Sequence, residues 1–408
     1  MTRSSATPAF AGALAGAATD ARTRGGAFSA DLSVTRLSLT NFRCYAQLRL
    51  EVGPGPIVLT GPNGAGKTNL LEALSFLSPG RGLRRARLAD PDRRTHDGTT
   101  AGRWAVAAVL NTAEGPLAIG TGRDAGDDDG ESPRRVVRID GAPGNSQAEL
   151  AHKLSVVWLT PDMDRLFDDS ASERRRFLDR LVYAFDPAQA GRLAAYEHRM
   201  RERARLLAEG RGDPAWLDAI EEGMAAHGVA IAAARVETAA RLDRACAQGL
   251  GPFPQARLAL AGELDAWLAE GPALAAEERL RAALSATRSR DALEGSTIVG
   301  PHRSDLDVRF GARGTPAREC STGEQKALLL SIVLGLAREI ARERGKPPLL
   351  LLDEAAAHLD GARRAALYDE IASLGVQAWL SGADEEFFAG LRSRARFFRV
   401  LDATVTAR

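Results

Sequence analysis

GPNGAGKT, at residues 61–68, fits the phosphate-binding pattern G-x-x-x-x-G-K-S/T. The motif follows an apolar run, Ile57-Val58-Leu59, and precedes a helix-like run from Asn69 to Leu77. A strand that ends in a glycine-rich loop lets the backbone wrap around a triphosphate, and the following helix directs its N-terminal amides at the phosphates. A glycine-rich turn that binds nothing is the alternative, but the strand and the helix on either side favour nucleotide binding.

The motif also predicts what its side chains do. Lys67 is predicted to reach the β- and γ-phosphates and to act in catalysis, and the Thr68 hydroxyl is predicted to bind Mg²⁺. The predicted ATP-binding residues of this loop are Gly61, Pro62, Asn63, Gly64, Ala65, Gly66, Lys67 and Thr68.

A second apolar run, Leu349 to Leu352, ends in two carboxylates, Asp353 and Glu354. Its length and composition suit a fully buried central strand. Asp353 is predicted to hold Mg²⁺, and Glu354 is predicted to be the base for a hydrolytic water. Alone, the run would fit a strand that ends in a solvated turn equally well. Together with the phosphate-binding loop, it indicates an ATPase.

Just before this strand, Ser321-Thr322-Gly323-Glu324-Gln325 precedes an apolar helical run from Ala327 to Ala337. A hydroxyl and a glycine at a helix N-terminus make a second anion site, and one nucleotide does not need two. The segment resembles the signature motif of ABC-type ATPases, in which two heads enclose two nucleotides, and Ala357 to Asp360 resembles their D-loop. An ordinary helix cap at Ser321 or Thr322 is the alternative. The resemblance implies further ATP contacts from Ser321, Gly323, Glu324 and Asp360.

The distance between Thr68 and Ser321 separates the subfamilies. It is too long for a compact transporter-type head and too short for the coiled coils of SMC proteins. Further blocks of sequence resemble the RecF family of DNA replication and repair proteins, and its opening motif adds Asn41 and Arg43 to the implied ATP contacts. These blocks are Leu39 to Tyr45, Thr68 to Ala73, Trp158 to Asp162, Glu173 to Asp179 and Gly300 to Leu306.

The resemblance predicts an α/β fold, an ABC-type P-loop ATPase head of two lobes, discontinuous in sequence, with an inserted α-helical arm. We assign residues 32–161 to the first lobe, 162–289 to the arm and 290–408 to the second lobe. The arm is predicted as an antiparallel helical hairpin, because apolar residues repeat at sevens on both sides of the turn-forming stretch 210–214. The first lobe shows strand-like runs at Val34 to Leu39, Ile57 to Thr60, Trp104 to Leu110, Leu117 to Gly120 and Arg135 to Asp140, with an exposed acidic loop from Asp124 to Glu131.

Composition sets weaker limits. The chain has 408 residues, a formal net charge of +1 and three cysteines at spacings that match no zinc site. The near-neutral charge requires any nucleic-acid surface to be a local patch. No apolar stretch approaches the roughly 20 residues of a membrane span, so a cytoplasmic protein is expected. Residues 1–31 are predicted to be a disordered extension or the result of an upstream start codon.

Arginines after the first helix provide the predicted DNA-binding residues: Arg81, Arg84, Arg85 and Arg87. Arginines on a loop neutralise phosphates without reading bases. A second cluster on the arm, Arg199 to Arg205, is interleaved with glutamates, so a solvated helix face explains it equally well. The run Arg174 to Arg176 is ambiguous for the same reason, and intramolecular pairs would also explain it.

Two departures from the general ABC pattern predict slow hydrolysis. The segment Trp158 to Asp162 lacks the glutamine of a Q-loop, and Ser381-Gly382 stands where the superfamily has its switch histidine. His302 is expected to be a hydrogen-bonded scaffold residue rather than a replacement for that histidine.

The family resemblance implies an ATP-dependent homodimeric clamp on DNA gaps or duplex–single-strand junctions, with ATP and Mg²⁺ as cofactors and weak DNA-dependent ATP hydrolysis as a switch. The implied partners are RecR and RecO, and indirectly RecA, which the clamp would help to load during replication restart and the SOS response. Two alternatives remain: an SMC-like structural or defence ATPase without a RecA-loading role, and the energy subunit of a transporter.

Overall fold

The computed structural model describes residues 32–95, 97–124, 133–144, 146–210, 213–311, 313–357 and 359–408. They form two compact units: the described residues up to Met163 together with Ala337–Arg408, and the intervening Asp164–Leu336. The first unit is therefore discontinuous in sequence. The predicted extension 1–31 and most of the acidic loop, residues 125–131, lie outside the described residues.

The strands are β1 (Leu32–Phe42), β2 (Tyr45–Glu51), β3 (Ile57–Thr60), β4 (Ala105–Thr112), β5 (Gly115–Arg123), β6 (Arg135–Ile139), β7 (Ala142–Pro143), β8 (Val156–Leu159), β9 (Ala256–Ala261), β10 (Asp305–Phe310), β11 (Thr315–Pro316), β12 (Leu349–Leu352), β13 (Ala378–Gly382), β14 (Arg396–Leu401) and β15 (Thr404–Ala407). The α-helices are α1 (Lys67–Ser75), α2 (Ala148–Lys153), α3 (Ala171–Tyr183), α4 (Gln189–Glu209), α5 (Pro214–Ala247), α6 (Glu263–Glu270), α7 (Ala273–Ala286), α8 (Arg288–Glu294), α9 (Thr322–Arg344) and α10 (Gly361–Ser373). Short 3₁₀ helices occupy Pro161–Arg165, Pro301–Arg303, Ala317–Glu319 and Glu385–Leu391.

The first unit is built on a six-stranded sheet in the order β15-β14-β3-β13-β12-β8. All pairs are parallel except β14 with β15. The buried strand predicted at Leu349–Leu352 is confirmed, because β12 is fully buried and lies between two other strands. Carboxyl ends of parallel strands share one edge of a sheet, so the segments after β3, β12 and β13 meet there.

A second, antiparallel sheet of the same unit has the order β2-β1-β4-β5-β6-β7. The five strands predicted for the first lobe are confirmed as β1, β3, β4, β5 and β6. Helix α1 contacts both β1 and β13, so the two sheets share one core. Buried Gln377 joins the sheets: its Oε1 accepts from the Val34 amide at 2.8 Å, and its Nε2 donates to the Val34 and Gly53 carbonyls at 2.9 and 2.7 Å.

The second unit contains the predicted helical hairpin, which is confirmed as α4 packed on α5. Gly210 ends α4 with φ of 62°, a left-handed conformation that suits glycine. Asp213 caps α5 by accepting a hydrogen bond from the Ala215 amide at 3.0 Å, and Pro214 occupies the first helical position.

The expectation of an entirely helical arm is wrong at β9, which pairs with β10 in a three-stranded sheet of order β11-β10-β9. Its sequence, Ala-Arg-Leu-Ala-Leu-Ala, alternates buried and exposed residues through its first four positions, which is the period of a strand. Because β9 pairs with β10, the second unit extends past residue 289 to Leu336, and its border with the first unit falls inside α9.

Two buried arginines hold the helices of the second unit together. Arg235 forms a bidentate pair with Asp179 at 2.7 and 2.8 Å. Arg203 is fully buried and contacts Glu221 at 2.8 Å and Asp291 at 2.7 Å. Burial of a charge is tolerated here because each guanidinium meets carboxylates. Among the described helices, none is both long enough and apolar enough to span a bilayer.

Candidate nucleotide-binding site

At two positions of the loop between β3 and α1, neighbouring atoms approach too closely for any residue but glycine. Gly61 has φ of 148°, and a Cβ there would lie 2.1 Å from the carbonyl oxygen of Val400. Gly66 has φ of 112°, and a Cβ there would lie 2.7 Å from the Tyr45 hydroxyl. The loop therefore packs against β14 and β2 through bare backbone, as a chain that must wrap closely around a phosphate does.

Lys67 begins α1 and is held by this loop. Its ammonium donates to the carbonyls of Gly61 and Pro62 at 2.6 and 2.9 Å. Burial lowers the pKa of Lys67, while the carboxylates of Glu354 and Asp353 act in the opposite direction. The cation thus lies between the loop and the acidic end of β12, where a triphosphate would need positive charge.

Thr68 and Asp353 also come together. Thr68 Oγ1 donates to Asp353 Oδ1 at 3.2 Å, and the carboxylate is almost fully buried. A hydroxyl and a carboxylate are the oxygen ligands that Mg²⁺ prefers. The described residues contain no cluster of three His, Cys, Asp or Glu side chains that would enclose an ion. The pair suits Mg²⁺ held by few protein ligands, with water and substrate phosphates completing its shell.

Ser381, at the end of β13, connects both acidic residues. Its hydroxyl donates to Asp353 Oδ1 and accepts the backbone N–H of Glu354 at 3.0 Å. Glu354 has φ of 51°, a left-handed conformation that is uncommon outside glycine and concentrates at functional sites. In the sequence, Ser381 is notable only because the superfamily has a histidine there, and its contacts to Asp353 and Glu354 were not predicted. The feature that could have indicated them is a hydroxyl residue at the carboxyl end of the strand next to β12.

The opening motif lies beside this loop in the fold. Asn41 and Arg43 both have positive φ, 48° and 53°. Arg43 binds the carboxylate of Glu72 with Nε and Nη2, at 2.9 and 2.5 Å, and Glu72 is fully buried on α1. The Asn41 carbonyl accepts the amide of Arg93 at 2.9 Å. Arg43 is thus joined to the helix that carries Lys67 and is partly exposed.

The four predicted DNA-binding arginines, Arg81, Arg84, Arg85 and Arg87, are all exposed. Arg84 Nη1 contacts Asn69 Oδ1 at 2.8 Å and Glu72 Oε2 at 3.2 Å. This arginine loop, residues 81–87, is therefore tied to α1 through the same buried carboxylate that binds Arg43.

Arg135 fixes the segment that leads into the arginine loop. It donates to the carbonyls of Phe76, Ser78 and Gly80 and to the side chains of Thr121 and Gln147. These five acceptors match the five N–H donors of a guanidinium. Burial lowers the pKa of Arg135 to about 10. No sequence pattern indicated this role.

In the second unit, Ser321 and Glu324 form a capping box at the start of α9. Glu324 Oε2 accepts from the Ser321 amide at 3.0 Å and from its hydroxyl at 3.1 Å, and the Glu324 amide lies 3.4 Å from Ser321 Oγ. Hydrogen bonds from the Ser321 amide, Arg313 and the Ser321 hydroxyl lower the pKa of Glu324. Around Gly323, apart from its chain neighbours and the backbone of its own helix, no described atom lies within 4 Å of where a Cβ would stand, so the helix end is open there.

In the first unit, Asp360 caps α10 by accepting the Arg363 amide at 2.8 Å. His358, the neighbouring member of the D-loop-like segment, lies outside the described residues.

The arginines of the arm have different environments. Arg203 is fully buried in its ion pairs, so it is wrong as a candidate DNA contact. Arg201 and Arg205 are exposed beside Glu197 and Glu209, as a solvated helix face requires. Intramolecular pairs explain the run Arg174 to Arg176, which contacts Asp305, the Ser304 carbonyl and Glu173 respectively.

His302 has the scaffold environment expected of it. Its Nε2 donates to the Thr297 carbonyl at 2.8 Å, so Nδ1 accepts from the Tyr196 hydroxyl at 2.9 Å. Burial lowers the pKa of His302 to about 4, which keeps the ring neutral at physiological pH.

Comparison with known proteins identifies the fold and the family. Residues 33–404 match the family described as "RecF/RecN/SMC N terminal domain". The chain is 51% identical over 380 residues to "DNA replication and repair protein RecF" of Mesorhizobium japonicum, covering 92% of this chain and 98% of that protein. The protein of the same name from Rhizobium etli is 48% identical, with the same coverage. The chain belongs to the RecF family. The predicted family is confirmed, and DNA replication and repair is the process in which it acts.

Solved structures agree with the RecF assignment at the level of the fold. The "recombination mediator protein RecF-ATPrS in RecFOR pathway" has a TM-score of 0.80 at 23% identity, covering 93% of this chain and 99% of that one. An SMC head bound to a ScpA winged-helix domain has a TM-score of 0.52 at 18% identity, covering 92% and 96%. The predicted ABC-type ATPase head is confirmed as the fold. The relatives at 48–51% identity favour RecF over the SMC-like alternative.

Proposed function

We propose that this RecF-family protein is an ATP-dependent DNA clamp of recombinational repair. The observation that carries the proposal is the convergence of Thr68, Asp353 and Ser381 beside the Gly61–Thr68 loop. Three segments distant in sequence bring the Thr68 hydroxyl, the Asp353 carboxylate with Glu354 beside it, and the Ser381 hydroxyl to one edge of the sheet. That is the arrangement a P-loop ATPase uses for phosphate, magnesium and water.

The loop residues 61–68 cradle the triphosphate with backbone amides, and Lys67 turns from the loop carbonyls to the β- and γ-phosphates. Thr68 and Asp353 would hold Mg²⁺, which would neutralise charge that develops on the phosphates. Glu354 accepts the proton of the attacking water. Arg43 and Asn41, beside α1, complete the nucleotide contacts on this side.

Dimerisation supplies the remaining contacts. Ser321, Gly323, Glu324 and Asp360 of one subunit face the nucleotide of its partner. The open N-terminus of α9 favours an anion, and a γ-phosphate takes the place of Glu324 as the acceptor of the Ser321 hydroxyl. Each subunit supplies both halves of the interface, so the dimer is symmetric. Hydrolysis removes the phosphate that joins the heads, and the clamp opens.

DNA binds through the arginine loop. Its exposed arginines, of which Arg84 also contacts Glu72, neutralise backbone phosphates without reading sequence, which suits gaps and duplex–single-strand junctions of any sequence. By analogy with the recombination mediator in the RecFOR pathway, the clamp works with RecO and RecR to load RecA. Slow hydrolysis, expected without a Q-loop glutamine and a switch histidine, suits a clamp better than a motor.

Fluorescence anisotropy of a labelled gapped duplex, with and without ATP–Mg²⁺ at fixed salt, tests the proposal. We expect tight binding only with ATP, lost in Ser321→Arg because the larger side chain blocks the partner's phosphate. Ser285→Arg, an exposed position on α7, is the matched control and should bind as wild type. Equal DNA affinity with and without ATP would contradict the clamp.

A further inference from the structure

Ser381 is an unusual residue for its position. It is 1% exposed, and its backbone is fixed by parallel pairing with Leu59 of β3. The next residue, Gly382, has no space for a side chain, since a Cβ would lie 2.6 Å from the ring of Phe388. Gly382 therefore has no room for the histidine that ABC-type ATPases place here, and Ser381 is buried. The end of β13 is built around a small hydroxyl.

That hydroxyl is used in both directions. As donor it binds Asp353 Oδ1, the oxygen that also accepts from Thr68, and as acceptor it binds the Glu354 amide at 3.0 Å. A serine has one O–H to donate, so the direction of both bonds is fixed by the carboxylate and the amide. The Ser381 side chain, on the neighbouring strand, therefore fixes the peptide bond between Asp353 and Glu354.

We propose that Ser381 is a positioning residue of the hydrolytic site, one that holds Asp353 and the backbone of Glu354 in register with the phosphate-binding loop. This inference rests on the proposed ATPase function. Ser381 acts through the two acidic residues and touches no phosphate itself. Where ABC-type ATPases have a histidine that contacts the nucleotide, this protein has a serine that positions the two acidic residues. We call this role of Ser381 the brace.

The brace matters because Glu354 has a left-handed backbone, with φ of 51°. A residue outside glycine stays in that region only when its surroundings hold it there. Loss of the bond to the Glu354 amide lets the peptide turn and moves the carboxylate that activates water. Displacement of a catalytic group by about 1 Å lowers the rate about 100-fold. Ground-state binding of ATP depends on the loop amides and Lys67 and is not affected.

Three substitutions at one position test the brace. Ser381→Ala removes both bonds, Ser381→Cys keeps a weak donor and Ser381→Thr keeps the hydroxyl. We expect kcat to fall about 10- to 100-fold in Ser381→Ala, less in Ser381→Cys and least in Ser381→Thr, while the Kd for ATP changes less than about twofold. Steady-state hydrolysis, nucleotide titration and the melting temperature are measured for each.

The outcomes separate a brace from a merely structural serine. A kcat that follows hydroxyl content at constant Kd supports the proposal. Wild-type kcat in Ser381→Ala, or a kcat that follows melting temperature with a parallel rise in Kd, overturns it and leaves the ATPase function intact. If ATP hydrolysis by the wild-type protein is absent, or is unchanged in Lys67→Met, the ATPase function is overturned, and the proposed role of Ser381 with it. If Ser381→Ala does not fold, the comparison of Ser381→Cys with Ser381→Thr tests the proposal by the same three quantities: kcat, the Kd for ATP and the melting temperature.

Discussion

Thr68 and Asp353 are 285 positions apart in the chain, yet Thr68 Oγ1 lies 3.2 Å from Asp353 Oδ1. The parallel sheet brings them together, because β3 and β12 end at the same edge with β13 between them. Asp353 follows β12 directly, whereas Thr68 lies in the first turn of α1, after the loop that follows β3. The site is thus defined by strand order and by the segments that follow these strands.

Lys67→Met should weaken ATP binding by about 10- to 100-fold or more, since hydrogen bonds to a charged group are worth roughly 1.5–3 kcal/mol each. Isothermal titration with ATP–Mg²⁺ measures the change. Lys153→Met, an exposed lysine of the same unit, is the control and should bind as wild type. Retained affinity in Lys67→Met would show that the loop carbonyls, not a nucleotide, are its functional partners.

Glu354→Gln should accumulate an ATP-bound dimer, because the amide cannot take a proton from the attacking water while the charge and shape around the nucleotide are nearly kept. Light scattering after size exclusion, in saturating ATP–Mg²⁺, gives the mass. Glu278→Gln, at an exposed position on α7, should stay in the wild-type equilibrium. A Glu354→Gln protein that stays monomeric would refute the shared-nucleotide interface.

Arg87→Ala should lower DNA affinity and reduce the slope of log K against log salt by about 1, the value for one lost phosphate contact. Arg87 is exposed, and it is the backbone amide of Arg87 that donates to the Asp90 carboxylate. Arg201→Ala on the arm removes an equally exposed charge and should leave the slope unchanged. Identical slopes for wild type and Arg87→Ala would remove Arg87 from the DNA interface.

Arg235→Met should destabilise the second unit by about 3–5 kcal/mol, because it leaves Asp179 buried without its partner. Urea denaturation followed by circular dichroism measures the loss. Arg205→Ala breaks only an exposed pair with Glu209 and should cost about 0–1 kcal/mol. Equal stability of the two variants would mean that water reaches Asp179.

His302 should make stability fall on acidification. Its folded pKa of about 4 lies below the unfolded value of 6.5, so only the unfolded chain binds the proton in between. The stabilisation is complete above pH 6.5 and is lost as the pH falls from 6.5 towards 4. His302→Gln should flatten the pH dependence across that window, measured by urea denaturation at a series of pH values. An unchanged slope would indicate that His302 is protonated in the fold.

Short-range patterns predicted the parts of the fold that depend on local periodicity. The glycine loop, the apolar run before Asp353 and the sevenfold repeats of the hairpin each occupy one continuous segment. The error at Ala256–Ala261 has a related cause, since this six-residue segment, Ala-Arg-Leu-Ala-Leu-Ala, lies within a long stretch of helical pattern. Strand pairing with Asp305–Phe310 decides that segment, and a partner so distant in sequence leaves no local mark.

The roles of Ser381, Glu72 and Arg135 depended on tertiary structure. Each acquires its role from atoms 12 to 59 positions away in the chain. Arg203 shows the reverse case. In the sequence it belongs to a cluster of basic residues, but in the fold its charge is buried and paired with Glu221 and Asp291.

The environment of Arg135 has an electrostatic consequence. Its five hydrogen-bond acceptors are neutral groups, so no carboxylate among them cancels its charge. With a pKa of about 10 the guanidinium stays charged at neutral pH. Salt screens the field of such a charge beyond about 8 Å at physiological ionic strength. If the arginine loop binds DNA as proposed, Arg135 would add positive potential close to that loop without contacting a phosphate, and it would raise the association rate most at low salt.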